Sequence, residues 1–231
     1  MGIISPYSYR SHRGIAGLVG AAQTRSLAHF NGADAATTTV DQVKGTTWAA
    51  GGTGQLDTAQ AKFGSASGFF PAANDTWTST LGTAIAEGAN FTVECWFRMN
   101  TAGVVTVTTT TADLGNAAVA TINNDLNTIS IVYQDANASE VGSTGSVAVT
   151  IADDTWYHFA VSVASNVASA YWNASRIAAT TLTGNAAGIT GIQLSGTSLA
   201  DTWVDEQRLS RVARYSGATL TEPTAAFSVG E

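Results

Sequence analysis

From residue 27 onward, short apolar runs alternate with clusters of Gly, Asn, Asp and Thr. This spacing predicts many short β-strands joined by turns. Twelve runs qualify, at residues 27–30, 46–49, 67–70, 91–99, 104–109, 118–122, 128–134, 146–151, 156–163, 167–172, 189–194 and 203–210. Because so many strands exceed one ordinary sheet, the sequence predicts an all-β domain built from two packed antiparallel sheets.

Two of these runs alternate with the period of two that a strand requires. In residues 91–99 the odd positions from 91 to 97 hold Phe, Val, Cys and Phe, which are expected in the core. The even positions carry Glu94 and Arg98, which are expected at the surface. Residues 156–163 alternate in the same way, with their odd positions facing the core.

Two other segments carry weaker signals. Leu81, Ala84 and Ile85 are spaced i, i+3, i+4, which predicts one or two helical turns within residues 79–87. The β-branched residues of 104–111 would expose an aggregation-prone edge unless another strand or subunit covered it. This run is a hint that the protein forms a homo-oligomer.

Charge is unevenly distributed along the chain. The 231 residues are 45% hydrophobic and only 12% charged, with a net charge of -7, yet no acid precedes Asp34. The acidic body argues against a nucleic-acid partner, which requires clustered Lys and Arg. We expect residues 1–26 to form an extended N-terminal arm and residues 27–231 to form a jelly-roll domain. Candidate docking residues of the arm are Tyr7, Tyr9, Arg10, Arg13 and Arg25.

This arm could dock on an acidic protein surface. The alternative is that its arginines are scattered along a flexible terminus without a partner. No apolar stretch approaches the roughly 20 residues of a membrane helix, so no membrane partner is expected.

Reaction chemistry finds little support in the sequence. The single cysteine, Cys95, excludes an internal disulfide and a cysteine-based zinc site. A retaining glycosidase needs two carboxylates about 5 Å apart. Glu94 has no acidic partner in its strand, and the adjacent Asp205 and Glu206 are expected on opposite faces. No nucleophile motif accompanies His158, which we expect to be a partly exposed structural residue. We therefore expect a protein that is not an enzyme.

Loops rich in Asp and Asn could supply oxygen ligands for calcium, the one cofactor that the sequence leaves open. The candidate ligands are Asp34, Asp153 and Asp154. The alternative, which we favour, is that these residues cap turns, as Asp and Asn do for reasons of their own.

Exposed aromatic rings beside amide or carboxylate groups are typical of sugar-binding sites. The candidates for such a site are Asp75, Trp77, Trp172 and Asn173. The alternative, which we favour, is that both tryptophans pack in the core or at its rim, as large aromatic residues mostly do.

Six segments of the chain follow one another in an order that is typical of a known protein family. They are LAHFNGAD (27–34), AQAKFGSASGFF (59–70), FTVECWFRM (91–99), DTWYHFAV (154–161), AYWNASR (170–176) and VDEQRLSRVARY (204–215). Together they resemble the laminin-G-like, concanavalin-A-like jelly-roll family, in the form found in bacterial and bacteriophage surface proteins. The resemblance implies an antiparallel two-sheet jelly roll. Asn31 stands where the family usually has Asp, which removes one charge from a family-type calcium site.

The closing segment is especially similar to versions in phage tail, fibre and capsid-associated proteins. The resemblance therefore implies a virion structural protein. Our leading hypothesis is a capsid decoration or head fibre subunit, whose arm binds other virion proteins while the jelly roll faces outward. The alternative is a glycan-binding adhesin or lectin of a phage tail or bacterial surface, which would be secreted or displayed on the cell. Glycoside hydrolysis is the least favoured hypothesis.

Overall fold

The computed structural model describes residues 23–43, 45–100, 103–112, 114–197 and 201–228. These residues form sixteen β-strands. The strands are β1 (Thr24–Ala28), β2 (Thr38–Val40), β3 (Thr47–Gly51), β4 (Gln55–Asp57), β5 (Ser67–Phe70), β6 (Thr76–Ile85), β7 (Phe91–Met99), β8 (Val104–Thr110), β9 (Val119–Asn123), β10 (Thr128–Gln134), β11 (Glu140–Ala148), β12 (Thr155–Ala164), β13 (Val167–Trp172), β14 (Ser175–Thr181), β15 (Ile189–Gly196) and β16 (Thr202–Ser210).

The strands form two antiparallel sheets. The first sheet has the order β14-β13-β12-β7-β16-β5-β4, and the second has the order β11-β10-β9-β8-β15-β6-β3-β2. One edge of β16 pairs with β7, and β5 and β1 share the other edge, at residues 202–204 and 207–210. The predicted all-β architecture of two antiparallel sheets, a jelly-roll sandwich, is confirmed.

The core lies between the sheets. The odd positions of β7 that were expected in the core are buried there, namely Phe91, Val93, Cys95 and Phe97. Phe30, two residues after the end of β1, packs edge-on against Trp48 of β3 and Trp77 of β6, with ring centroids 5.7 and 5.3 Å apart. Because burial of each large apolar side chain contributes roughly 1.5–3 kcal/mol, these rings fasten β1 to the second sheet.

The predicted helix at residues 79–87 is wrong. Residues 79–85 belong to β6, in which Trp77, Ser79 and Leu81 are buried while the threonines between them are exposed. Leu81 and Ile85 are four residues apart, and a spacing of four places side chains on one face of a helix or of a strand. The alternation of buried and exposed residues that begins at Trp77 distinguishes the two and indicates a strand.

Strand β8 lies in the interior of the second sheet, between β9 and β15. Both edges of β8 are therefore paired within the chain, and residues 104–111 no longer indicate a homo-oligomer. The strand expected at residues 146–151 lies earlier in the chain, as β11. Four strands were not predicted, namely β2, β4, β14 and β6, where a helix was expected. The homo-oligomer stays a prediction.

The end of the predicted arm belongs to the sandwich. Arg25 lies within β1, where Thr24 and Ser26 on either side of it pair with β16. The other candidate residues of the arm, Tyr7, Tyr9, Arg10 and Arg13, lie outside the described residues. In the part of the chain that the structure describes, no helix has the length and apolar character needed to cross a membrane.

Candidate functional site

Two chain segments cover the outer face of the first sheet. One is the loop between β4 and β5, and the other is the C-terminal segment, residues 211–228. Phe63 of the loop meets the ring of Trp96 edge-on at 6.0 Å. Phe227 of the C-terminal segment meets the ring of His158 at 6.2 Å. Side chains that would otherwise face water are therefore buried on this side of the sheet.

A buried ionic cluster is centred on Glu94 in β7. The strand register places Arg208 of β16 directly opposite Glu94, and the Arg208 Nε donates to Glu94 Oε1 at 2.9 Å. On the other oxygen, Glu94 Oε2 accepts a hydrogen bond from the Tyr215 hydroxyl at 2.7 Å and lies 3.2 Å from His158 Nε2. Both carboxylate oxygens are thus occupied by partners from three different parts of the chain.

The cluster fixes the ionisation of its members. Burial acts to raise the pKa of Glu94, but the hydrogen bond with His158 and the charge of Arg208 outweigh it and lower the pKa to about 2. Burial and the neighbouring carboxylate raise the pKa of Tyr215. Since Glu94 stays ionised at ordinary pH and is fully enclosed, it cannot deliver a proton to a substrate.

Two predictions for this face are wrong. Glu94 does not share the surface with Arg98, whose Nη2 instead lies 2.7 Å from Asp154 Oδ1 and whose guanidinium lies over the ring of Trp203. His158, expected to be partly exposed, is completely buried. Alternation along a strand shows which side chains share a face, but it does not show whether another segment covers that face.

A β-bulge in β16 affects the adjacent acids Asp205 and Glu206. Glu206 has a φ of 52°, a left-handed conformation that few residues other than glycine adopt. Asp205 Oδ2 accepts the amide hydrogens of Lys62 and Phe63 at 2.9 and 3.0 Å, and Glu206 Oε2 accepts that of Phe227 at 2.7 Å. Both acids therefore hold segments that cover the same face. The expectation of opposite faces is wrong because the bulge interrupts the alternation.

The environment of the bulge shifts two further pKa values. Burial raises the pKa of Asp205 to about 8, against the opposing effect of the amide of Phe63 and with a contribution from the charge of Glu206. His29 Nδ1 lies 2.7 Å from Glu206 Oε1, and this hydrogen bond raises the pKa of His29. The acids of the bulge are thus engaged in closing the sandwich.

The residues that carry the family resemblance meet on this face. They include His29, Lys62, Phe63, Glu94, Trp96, His158, Tyr171, Asp205, Glu206, Arg208 and Tyr215. They contact one another and the backbone of the covering segments. These motifs therefore fasten the β4–β5 loop and the C-terminal segment onto the first sheet, and they do not by themselves identify a ligand.

A cavity of about 270 Å³ lies between the cluster and the C-terminal segment. It is lined by Arg208, Tyr215 and residues 221–227. Glu222 in this lining has no hydrogen-bond or ion-pair partner among the described residues, so its carboxylate is available to a ligand. The sequence analysis missed this cavity. Its only signal was the closing motif, which contains Arg208 and Tyr215 but gives no indication of Glu222.

The residues predicted for sugar binding do not form a common site. Trp77 is completely buried in the core, and Asp75 accepts backbone amides of the adjoining loops. Trp172, on the other sheet, is 7% exposed and stacks on Tyr157 with ring centroids 4.8 Å apart. Asn173 Oδ1 accepts an amide hydrogen from β12. The structure agrees with the favoured alternative of packing in the core or at its rim, because each ring packs against the protein.

The predicted calcium ligands have protein partners. Asp34 Oδ1 accepts the amide of Thr58, Asp153 Oδ1 accepts from the side chain of Asn124, and Asp154 pairs with Arg98. Among the described residues, no group of three or more His, Cys, Asp or Glu is arranged to hold a metal ion. The contacts favour turn and loop stabilisation for these three acids, and calcium binding stays a prediction.

Comparison with known proteins gives a fold and no family. No family model matches the chain, and no curated protein matches it by sequence. Solved structures do match. A botulinum neurotoxin serotype D binding domain shares 13% identity with a TM-score of 0.61, covering 84% of this chain and 49% of that one. A type C neurotoxin, described as entering cells through interaction with two ganglioside molecules, shares 12% identity with a TM-score of 0.61 over 86% of this chain and 50% of that one.

A third similar structure is smaller. The carbohydrate-binding module CBM66 from Bacillus subtilis shares 11% identity with a TM-score of 0.50, covering 71% of this chain and 94% of the module. The chain spans about half the length of the toxin domains it matches. At these identities the likeness defines the fold alone, a jelly-roll sandwich of the concanavalin-A-like kind.

Proposed function

We propose that this protein is a non-enzymatic glycan-binding module. The observation that carries the proposal is the polar cavity beside Arg208, Tyr215 and Glu222 on a sandwich whose structural neighbours are binding domains. One of these neighbours is named as a carbohydrate-binding module, and another is described as interacting with gangliosides. A shared fold does not define a ligand, so the argument depends on the cavity.

The lining of the cavity suits sugar hydroxyls. The Glu222 carboxylate can accept hydrogen bonds from two neighbouring hydroxyl groups, and the side chains of Thr221 and Thr224 can donate or accept. The volume of about 270 Å³ is close to the lower end for small-molecule sites, which fits a single sugar unit.

The carboxylates of the same face support binding without hydrolysis. Glu94 has both oxygens occupied, and Asp205 and Glu206 hold backbone amides of the covering segments. A glycosidase needs one carboxyl to reach the leaving oxygen and another to reach the anomeric carbon or its water. Of the described acids around this cavity, only Glu222 is available, which is one carboxyl too few.

A glycan array probed with the full chain, with and without calcium, tests this function. We expect binding to a defined set of glycans, and Glu222→Gln should weaken it about tenfold because a charged hydrogen bond becomes neutral. Glu140→Gln, at the exposed start of β11, is the matched control and should leave binding unchanged. Silence on every glycan would contradict the proposal. An equal loss of glycan binding in both variants would contradict the location of the binding site beside Glu222.

A second candidate is a virion accessory protein, such as a capsid decoration or head fibre subunit. Its support is the charge distribution, since Arg10, Arg13 and Arg25 precede the first acid while the rest of the chain is acidic. In this proposal the N-terminal residues bind other virion proteins. Charge reversal of Arg10 and Arg13 to Glu in the full chain should abolish co-sedimentation with virus particles, whereas Arg176→Glu on β14 should not. Co-sedimentation of both variants would argue against it.

A further inference from the structure

A second cavity lies at the end of the sandwich where β1 begins and β6 and β16 end. Its volume is about 500 Å³. It is lined by Arg25 of β1, by Arg211 and Val212 directly after β16, and by residues 83–86 and Ala89 from the end of β6 and the turn before β7. None of the residues predicted from the sequence for sugar or metal binding lies in it. It is also separate in lining from the cavity beside Glu222.

The backbone brings the two arginines together. Thr24 pairs with Ser210, and the amide of Arg211 donates to the carbonyl of Gln23 at 2.8 Å, so β1 and the end of β16 are joined at this point. The strand register shifts at Arg25, between two regularly paired neighbours. The cavity therefore has two guanidinium groups attached to hydrogen-bonded backbone.

These two arginines have no counter-ion in the part of the chain that the structure describes. Arg25 Nε is buried without a hydrogen-bond partner, and among the described residues neither arginine forms an ion pair. Burial, with the nearby charge of Arg211, lowers the pKa of Arg25, so the two groups repel each other. Arg98 and Arg208 differ, since each faces a carboxylate. A buried cationic donor without a partner is costly, and an anion between the two arginines would relieve that cost.

Within the described residues, no acid pairs with either arginine. Residues 1–22 contain Arg10 and Arg13 but no Asp or Glu. Glu87 is the acid closest in sequence to the lining residues, and it is exposed and pairs with neither arginine. The opposite charge is therefore one that a ligand can supply.

We propose that the cavity between Arg25 and Arg211 binds the carboxylate of an acidic sugar, an inference that rests on the proposed glycan-binding function. Guanidinium groups present paired N–H donors that match the two oxygens of a carboxylate. Ala84, Ile85 and Val212 add an apolar surface against which the C–H face of a sugar ring can pack. A cavity of about 500 Å³ accommodates a compact ring, which favours a sugar over an extended acidic peptide.

Titration of the full chain with two matched glycosides tests the site. Methyl glucuronide carries the carboxylate, and methyl glucoside is its neutral counterpart. We expect the glucuronide to bind at least tenfold more tightly and its affinity to fall as salt is added. Arg211→Gln, at an exposed position, should weaken glucuronide binding about tenfold, and Arg25→Gln should do the same. Arg176→Gln, an exposed arginine of β14 outside this cavity, should bind like the unaltered protein.

Several outcomes would overturn the inference. Glucuronide affinity that is unchanged in Arg211→Gln and Arg25→Gln would remove the site. Acetate that binds as tightly as the glucuronide, with the same sensitivity to Arg211→Gln, would show a simple anion site without sugar recognition. Binding of neutral glycans that depends on Glu222 but not on either arginine would overturn this inference and leave the proposed function standing. Failure of every glycan to bind would contradict both.

A thermal measurement gives a readout that does not depend on affinity fits. The glucuronide should raise the melting temperature of the unaltered protein and of Arg176→Gln, but not that of Arg211→Gln. Without ligand, Arg211→Gln should melt no lower than the unaltered protein, because it removes a repulsion. A lower melting temperature for ligand-free Arg211→Gln would show that Arg211 has a structural partner and would overturn the argument from repulsion.

Discussion

The outer face of the first sheet carries charges and is covered, whereas that of the second sheet carries almost none and meets water. Strands β7, β12 and β16 bring Glu94, His158, Asp205, Glu206 and Arg208 to the covered side. In the second sheet, seven of the eight strands contain no Asp, Glu, Lys or Arg, the exception being β11 with Glu140. The chain therefore places these ionisable side chains where other segments enclose them.

Threonine and serine occupy much of the second face. The register aligns Thr76, Ser195, Thr106 and Thr121 in one row across four strands, each of them partly exposed. Neutral hydroxyl groups on β-branched residues favour the strand conformation and bond to water at little cost. Charges under a cover behave differently, since each must find a partner or raise the free energy of the fold. We expect substitutions on the two faces to differ accordingly.

Glu94→Gln should have the largest effect on stability. It leaves Arg208 buried without its counter-charge, and removal of one partner from a buried pair costs about 3–5 kcal/mol. Urea unfolding followed by tryptophan fluorescence would measure the change. A loss below about 1 kcal/mol would mean that the cluster is not a principal attachment of the C-terminal segment and would weaken the contrast between the two faces.

Phe227→Ala should have the second largest effect, a loss of about 3 kcal/mol in the free energy of unfolding. The ring is 4% exposed, lies 4.0 Å from the Arg208 guanidinium carbon and meets His158 edge-on. Hydrogen exchange should show faster exchange in the C-terminal segment, with β8 and β9 unchanged. Ala226→Ser, at the exposed neighbouring position, is the control. If exchange rose equally in both sheets, the segment would be part of one cooperative unit and not a cover.

The sequence predicted the core-facing residues of the first sheet better than those of its outer face. The period of two in β7 correctly assigned Phe91 and Phe97 to the core, because contact between two sheets selects apolar residues at alternate positions. It misassigned Glu94 and His158, since the cover consists of segments distant in the chain. The left-handed conformation of Glu206 also has no local signal, because it depends on β1, β5 and β7 pairing around the bulge.

Binding residues were harder to predict than the fold. The sequence left Trp77 open between the core, which was favoured, and a sugar site, because aromatic residues occur in both. Its contact with Phe30 distinguishes the two. Arg25 and Arg211 are 186 positions apart, and their meeting depends on the pairing of β1 with β16. No pattern within a single segment contains that information.

Acidification should lower the free energy of unfolding by an intermediate amount, through protonation of Glu94 on the covered face. The pKa of Glu94 is lowered from 4.5 to about 2, so its stabilisation is complete above pH 4.5 and is lost as the pH falls towards 2. At about 1.36 kcal/mol per unit, this difference corresponds to about 3 kcal/mol, of which only part is lost by pH 3. Urea unfolding between pH 5 and pH 2.5 should show a shallower decline for Glu94→Gln than for the unaltered protein. Parallel declines would assign acid sensitivity to other carboxylates.

Thr106→Val and Thr108→Val should have the smallest effect. Both side chains lie on the outer face of β8 and are partly exposed, and valine keeps the β-branched shape that a strand favours. Each change should alter the free energy of unfolding by no more than about 0.5 kcal/mol, as is usual for surface positions without a buried partner. The same urea experiment measures it. A loss above about 1.5 kcal/mol would show that these hydroxyls form hydrogen bonds that stabilise the fold. The outer face of the second sheet would then depend on specific polar contacts, as that of the first sheet does.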